Sequence, residues 1–221
     1  MLYDIDKWLK PYKDAIDKRQ KMILDAKEKL SKDGSLSKGL NNHMYYGLHH
    51  DDQGNWVFRE WAPNATKIYL IGDFNNWKRS EAYALRPLGG GNWEIKLPAM
   101  FLDHGTLYKL FIEWPGGGAE RLPAYVTRTV QDVQTKQFCA QVWDPAKPYE
   151  WRNPKPGKRP HPLIYECHIG MATEEERVGT FEEFRLNVLP KVADLGYDTI
   201  QIMALQEHPY YGSFGYQVSN L

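Results

Sequence analysis

Six of the chain's 14 prolines fall between Asp144 and Pro162. Proline donates no backbone hydrogen bond and pushes the residue before it out of the helical region. Residues 144–162 therefore cannot lie inside a helix or a sheet, and we read them as a linker. The segments on either side of it must each find their own core. A length of 221 residues allows one large domain or two modest ones.

Before the linker, the pattern from Tyr45 to Trp143 is one of short strands. Candidates are 56–61, 67–71, 93–97, 107–114 and 136–143, separated by breakers at 51–54, 63–64, 89–92, 104–105 and 115–118. That spacing predicts an antiparallel β-sandwich over residues 41–143. The glycine runs at 89–91 and 116–118 resemble phosphate loops, but neither precedes a helical pattern or a Gly-Lys-Ser/Thr. Residues 1–40 form a helical segment. Within it, residues 12–31 repeat Ile16, Ile23 and Leu30 every seven positions, with charges opposite, which predicts an amphipathic helix resting on something.

Beyond the linker, 163–168 reads as a strand buried on both faces. Thr180 with Glu183 three residues on is a capping-box signature. Phe181, Phe184, Val188, Val192 and Leu195 form an apolar stripe, Gly196 stops the helix, and Pro190 is expected to kink it. A second strand comes at 197–203. Strand, helix and strand at this spacing predict a βαβ unit with parallel strands. One helix and two strands cannot cover both faces of a parallel sheet, so 163–221 is expected to open a larger α/β domain.

Net charge is zero and the pI is near 7.1, which argues against nucleic acid or an anionic membrane as a partner. No apolar run approaches the roughly 20 residues that span a bilayer, and the first residues lack a basic leader with an apolar stretch. A cytoplasmic protein is the expectation. Cys139 and Cys167 show no metal or disulfide spacing and are expected to be buried free thiols. His168 and His208 are 40 residues apart without ligand spacing, so packing is expected, with no metal and no cofactor.

Aromatic content is high at 14%, with 8 Trp and 14 Tyr. Tyr and Trp suit places where one side is packed and the other wet. In Gly72-Asp-Phe-Asn-Asn-Trp77 an apolar strand breaks into turn-forming Asp and Asn and ends on an indole. Two readings stand open. Trp77 is either a platform for a flat hexose face or a lid folded over its own strand.

Arg59-Glu-Trp-Ala-Pro-Asn-Ala65 and Gly72–Trp77 together resemble the glycogen-binding module shared by glycogen-branching enzymes and a kinase regulatory subunit. Ile164-Tyr-Glu-Cys-His-Ile-Gly170, Ile200-Gln-Ile-Met-Ala204 and Glu207-His-Pro-Tyr-Tyr-Gly-Ser-Phe-Gly-Tyr-Gln217 resemble the opening of the branching-enzyme barrel, in its eukaryote-type wording. The opening Trp8-Leu-Lys-Pro-Tyr12 matches as well. The resemblance implies a multidomain chain: N-terminal helix, glucan-binding β-sandwich, and the incomplete start (βαβ) of a (β/α)8 barrel. It implies a 1,4-α-glucan branching enzyme of the α-amylase superfamily, whose partner is glycogen or another α-1,4-glucan. Such enzymes are retaining, with one carboxylate as nucleophile and a second as acid and base.

The resemblance places the catalytic carboxylates in motifs outside these residues, so Glu166, Asp194, Asp198 and Glu207 are read as structural, and the chain alone is expected to be inactive. It assigns glucan contacts to Trp77 and Lys109, and to Trp61, Pro63 and Asn92, with Lys32 and Asp33 as an extrapolation. Trp61 could equally fill core. Tyr216 matches a tyrosine that stacks on sugar at the cleavage subsite. Trp114 falls too early to pair with Trp77 in a two-indole clamp. The other readings are a non-catalytic glucan-binding regulatory module and a debranching enzyme of the same superfamily.

Overall fold

The structure, a computed structural model, describes residues 1–31 and 33–220. Lys32 lies outside the described residues. The chain divides into two compact units, one ending at Tyr45 and one starting at Tyr46.

The first unit is helical: α1 (Leu2–Ile5), a 3₁₀ stretch (Lys7–Tyr12), α2 (Lys13–Leu30) and α3 (Leu36–Gly39). The Asp6 side chain accepts from the Trp8 backbone N–H, which caps the 3₁₀ stretch containing Pro11. Lys13–Asp17 and Lys21–Asp25 pair four residues apart along α2 as exposed ion pairs, which add little to its stability. No residue of α2 is buried, and the stripe that includes Met22, Ile23 and Leu30 is exposed.

The second unit begins with two antiparallel sheets. The first holds β1 (Gly47–His50), β2 (Trp56–Trp61), β4 (Arg86–Gly89) and β5 (Asn92–Leu97) in the order β1-β2-β5-β4. The second holds β3 (Lys67–Gly72), β6 (Leu107–Trp114), β7 (Gly117–Arg121), β8 (Thr129–Gln131) and β9 (Phe138–Gln141). There β3 takes one edge of β6, while β7 and β9 share the other. Alternate residues of both sheets meet in one core: Trp56 and Phe58, Trp93 and Ile95, Ile68 and Leu70, Tyr108 and Leu110. This period-2 alternation makes the two sheets a sandwich.

Three differences from expectation have local causes. The strand expected at 136–143 is only Phe138–Gln141, because the Asp132 carboxylate accepts from the Gln134 and Thr135 N–H groups and closes a turn. The glycine runs are neither phosphate loops nor simple breakers. Residues 89–91 turn β4 into β5, and 117–118 begin β7, where a Cβ on Gly118 would come within 2.9 Å of the Phe111 ring. Cys167 is buried, but Cys139 is only partly so.

After the linker, β10 (Ile164–His168) and β11 (Thr199–Met203) pair in parallel, Ile164 opposite Thr199. Between them lie α4 (Phe181–Glu183), a π turn (Phe184–Val188) and α5 (Leu189–Asp194). The capping box forms as expected: Thr180 Oγ1 accepts from Glu183 N–H at 3.2 Å, and Glu183 Oε2 accepts from Thr180 N–H at 2.9 Å. Hydrogen bonds from Arg177 and then from Thr180 hold the Glu183 carboxyl down at about 2. The helical run continues from Phe181 to Asp194, and its π turn falls directly before Pro190, whose missing N–H leaves a carbonyl of the preceding turn without its usual donor. The expectation of a strand buried on both faces fails for β10. Cys167 is buried but Ile164 is 49% exposed, because a two-stranded sheet covers only one side.

Candidate functional site

The turn after β3 is built by its own side chains. Asn75 accepts from Gly72 N–H and donates to Leu70 O, both at 3.0 Å. Trp77 N–H donates to Gly72 O at 3.0 Å, and Asp73 Oδ2 accepts from Leu107 N–H at 2.9 Å. These bonds hold Asn76 at φ 53° and Trp77 at φ 60°. Both are left-handed conformations that cost a side-chain-bearing residue about 1–2 kcal/mol. Position 72 must be glycine for a different reason. A Cβ there would sit 2.3 Å from Leu107 O and 2.7 Å from the Phe74 ring.

The turn brings Trp77 back over the outer face of β6. On that strand Tyr108 and Leu110 enter the core, so Lys109 and Phe111 point outward. Lys109 Nζ stands 5.8 Å from the centre of the Trp77 ring, and Arg79 lies 4.5 Å above Phe111. Lys109 is 8% exposed, and its ammonium donates to Glu120 Oε2 at 2.9 Å and Gln137 Oε1 at 3.4 Å. The Trp77 indole is half-buried. The Lys109 ammonium lies over one face of that ring. Trp114 shares the register of Tyr108 and Leu110 and so lies on the opposite face of β6 from Lys109, which removes the two-indole clamp.

A second group gathers where β2 ends. Trp61 and Asn92 are directly opposed across β2 and β5. Trp61 is 55% exposed, which overturns the core-filling alternative. Its Nε1 donates to Gly90 O at 3.2 Å. Pro63 is exposed, and it approaches Gly91 so closely that a Cβ there would meet Pro63 at 2.8 Å. Asn92 accepts from the Tyr46 hydroxyl at 2.6 Å and donates to Gly89 O. Sequence reading missed Tyr46, because a tyrosine before a strand carries no signal of its own.

These two groups are not one site. Pro63 precedes β3 and Trp77 comes after it, so six strand residues, about 20 Å, separate them. Asp33 is exposed at φ 52° in the turn after α2, in the helical unit. Tyr216 is 81% exposed on the loop after β11. That loop is seated by Gly215, whose Cβ would strike Ala204 at 2.3 Å.

Two of the four carboxylates set aside on sequence grounds, Glu166 and Asp198, have structural partners. Glu166 Oε2 accepts from Gln201 across the β10–β11 pair at 3.0 Å. Asp198 accepts from the Thr199 hydroxyl, which does most to hold its carboxyl below the usual range, and from Arg159 and Leu163 N–H. His168 packs edge-on against Tyr211 and Phe214. Among the described residues, no cluster of three or more His, Cys, Asp or Glu could hold a metal ion. No described helix is long and apolar enough to cross a membrane.

A sandwich with an indole on a strained turn beside a lysine defines a class, and residues 45–126 match Carbohydrate-binding module 48 (Isoamylase N-terminal domain). The fold is shared with solved structures. A glycogen-degrading pneumococcal virulence factor, SpuA, superposes with a TM-score of 0.59 at 23% identity, over 74% of this chain and 20% of its own. The Group B streptococcal pullulanase SAP superposes at 0.57 and 20% identity, over 75% and 24%.

Along nearly its whole length the chain is also similar to 1,4-alpha-glucan-branching enzymes. Identity is 40% to that of Rhizophagus irregularis, over 98% of this chain and 32% of the relative. It is 37% to that of Dictyostelium discoideum, over 97% and 32%. The chain spans about a third of the length of these relatives.

Proposed function

We infer that the sandwich binds α-1,4-glucan, with Trp77 as the stacking platform and Lys109 as the donor to sugar hydroxyls. The observation that carries this is the conformation of Trp77. A left-handed tryptophan, whose N–H donates to Gly72 O in a turn closed by Asn75 and Asp73, spends stability to hold its indole over β6 at the surface. A buried ammonium beside that ring, already oriented by Glu120 and Gln137, supplies directed donors without reordering. Trp61, Pro63 and Asn92 form a second contact for the same polymer, with Tyr46 orienting the Asn92 amide.

The family relationship supports a wider role. The chain is the N-terminal part of an enzyme that cleaves an α-1,4 bond and transfers the freed chain to a 6-hydroxyl. The β10–β11 pair is read as the opening of the catalytic barrel, at whose strand ends chemistry resides in this fold. Tyr216 stands on the loop after β11 and would stack on the sugar being cleaved. The catalytic carboxylates belong to later strands, so the 221-residue chain binds and does not catalyse.

Affinity electrophoresis in glycogen-containing gels tests the binding. The chain is expected to be retarded, and Trp77→Ala to weaken retardation about fivefold or more, since stacking of a flat ring face on an aromatic side chain is worth about 1–3 kcal/mol. Retardation unchanged by Trp77→Ala removes the platform role. The chain purified from a host without branching enzyme is expected to leave the iodine spectrum of amylose unaltered. A shift in that spectrum would place catalytic groups within these residues.

A further inference from the structure

We propose that Pro123-Ala124-Tyr125 is a strut that fixes the Trp61 patch relative to the loop bearing Tyr216, with Glu60 and Asn220 as its positioning residues. The structural part stands on its own, and its use in glucan handling rests on the binding reading above.

Glu60 is the odd residue of β2. It shares the inward register of Trp56 and Phe58 and is 4% exposed. Each of its oxygens accepts one backbone N–H: Trp61 at 3.0 Å on Oε1, Ala124 at 2.9 Å on Oε2. A carboxyl taken from water to satisfy two amides of two separate segments is a costly filler. What it achieves is a join between the patch residue Trp61 and the segment 123–125.

A second set of contacts makes the same join from the other side. Tyr46, whose hydroxyl holds Asn92, stacks on Tyr125 with ring centres 5.4 Å apart. Gly47, at φ +87°, lies so close that a Cβ would stand 2.3 Å from Tyr125 O. No other residue type fits there.

The far end of the strut reaches the loop after β11. Pro123 is fully buried, and its carbonyl accepts from Asn220 Nδ2 at 2.8 Å. Asn220 lies four residues beyond Tyr216, and Ser219 N–H donates to Glu207 O at 2.8 Å, closing the loop on itself. Beside this contact a cavity of about 370 Å³ opens, lined among others by Arg128, Gln206, Glu207 and Asn220. The sandwich and the loop are therefore registered through a short run of directed bonds. A polymer held at Trp61 would meet Tyr216 at a fixed distance.

Hydrogen exchange on the 221-residue chain tests this in two arms. Without sugar, Glu60→Gln and Asn220→Asp are each expected to speed exchange of the Ser219 amide at least tenfold. Amides of β3 and β6 should keep their protection, which shows that the sandwich is intact. Unchanged Ser219 exchange in both variants overturns the strut. With maltoheptaose, the wild-type chain is expected to slow exchange at Trp61, Asn92 and Ser219. Asn220→Asp should keep the first two effects and lose the third, and equal slowing of Ser219 in the variant overturns the coupling. If maltoheptaose leaves Trp61 and Asn92 unprotected, the glucan reading of the patch falls, while the sugar-free arm still decides the strut.

Discussion

Glu60 and Glu94 lie on neighbouring strands and titrate in opposite senses. Burial pushes the Glu60 carboxyl up, against the hydrogen bonds from Ala124 and Trp61. Burial also pushes Glu94 up, but hydrogen bonds from Arg86 and Arg59 outweigh it and leave that carboxyl below its ordinary value. Linkage fixes the signs. A raised folded value means that stability from Glu60 is present in acid and is lost as pH climbs above the ordinary glutamate range. A lowered one means that stability from Glu94 is present at neutral pH and is lost as pH falls below that range. In Glu60→Gln one amide would face an –NH₂ group that cannot accept, leaving a buried donor unpaired at about 1–3 kcal/mol. Urea unfolding is expected to show the variant less stable than wild type, with the gap narrowing as pH climbs above the ordinary glutamate range. A gap that widens with pH would refute the assignment. At Gly72 the argument is steric. Gly72→Ala places a Cβ against Leu107 O at 2.3 Å, and a loss of about 2 kcal/mol or more in unfolding free energy is expected, in line with strain at a packed backbone position.

Strand and helix signals were legible in proportion to how much of their pattern was apolar. Trp56–Trp61 and Leu107–Trp114 were readable to the residue, since their inward positions are large and their ends are marked by turns. Edge strands were not. Arg86–Gly89 is exposed throughout, and Gly117–Arg121 shows glycines where alternation was sought, although those glycines are what let β7 lie against Phe111. The capping box was legible because it is a local rule, whereas the π turn was not, because it answers a proline six residues further on than its own start. Thr180→Ala is expected to cost about 1 kcal/mol in the first turn of that helix, seen as roughly fivefold faster exchange of the Glu183 amide. Exchange unaltered there would refute the capping role of the Thr180 hydroxyl. The candidate site was legible where motif residues sit together, as Trp61, Pro63 and Asn92 do. It was illegible where the parts come from distant strands. Nothing near Trp77 in the chain announces Glu120 or Gln137, and only the register of β6 with its neighbours brings them to Lys109.

The second unit is uneven in how well it is covered. The sandwich closes on a core of 13 buried residues drawn from both sheets, and the β10–β11 region on three. Leu163, Leu195 and Leu205 of that region are each at least 60% exposed. So small an apolar core gives little resistance to opening. Amides of β10 and β11 are expected to exchange at lower denaturant than those of β3 and β6. Coincident opening of all four strands would show that the strut, rather than the local core, governs the loop region. The contrast also explains why fold class was readable for the sandwich and less so for the segment beyond the linker. A closed core constrains its own sequence, and an open one leaves half of its pattern without a visible purpose.

The Lys109–Glu120 pair has a kinetic meaning as well. Because the ammonium next to Trp77 arrives already matched by a carboxylate, and the chain as a whole carries no net charge, no long-range field draws a ligand to this surface. A neutral polysaccharide needs none. Capture would depend on how often a sugar face meets the indole, release on how fast that contact opens, and neither on the salt of the medium. A branched particle, which presents many ends at once, would be held far longer than the same sugars offered as separate linear chains.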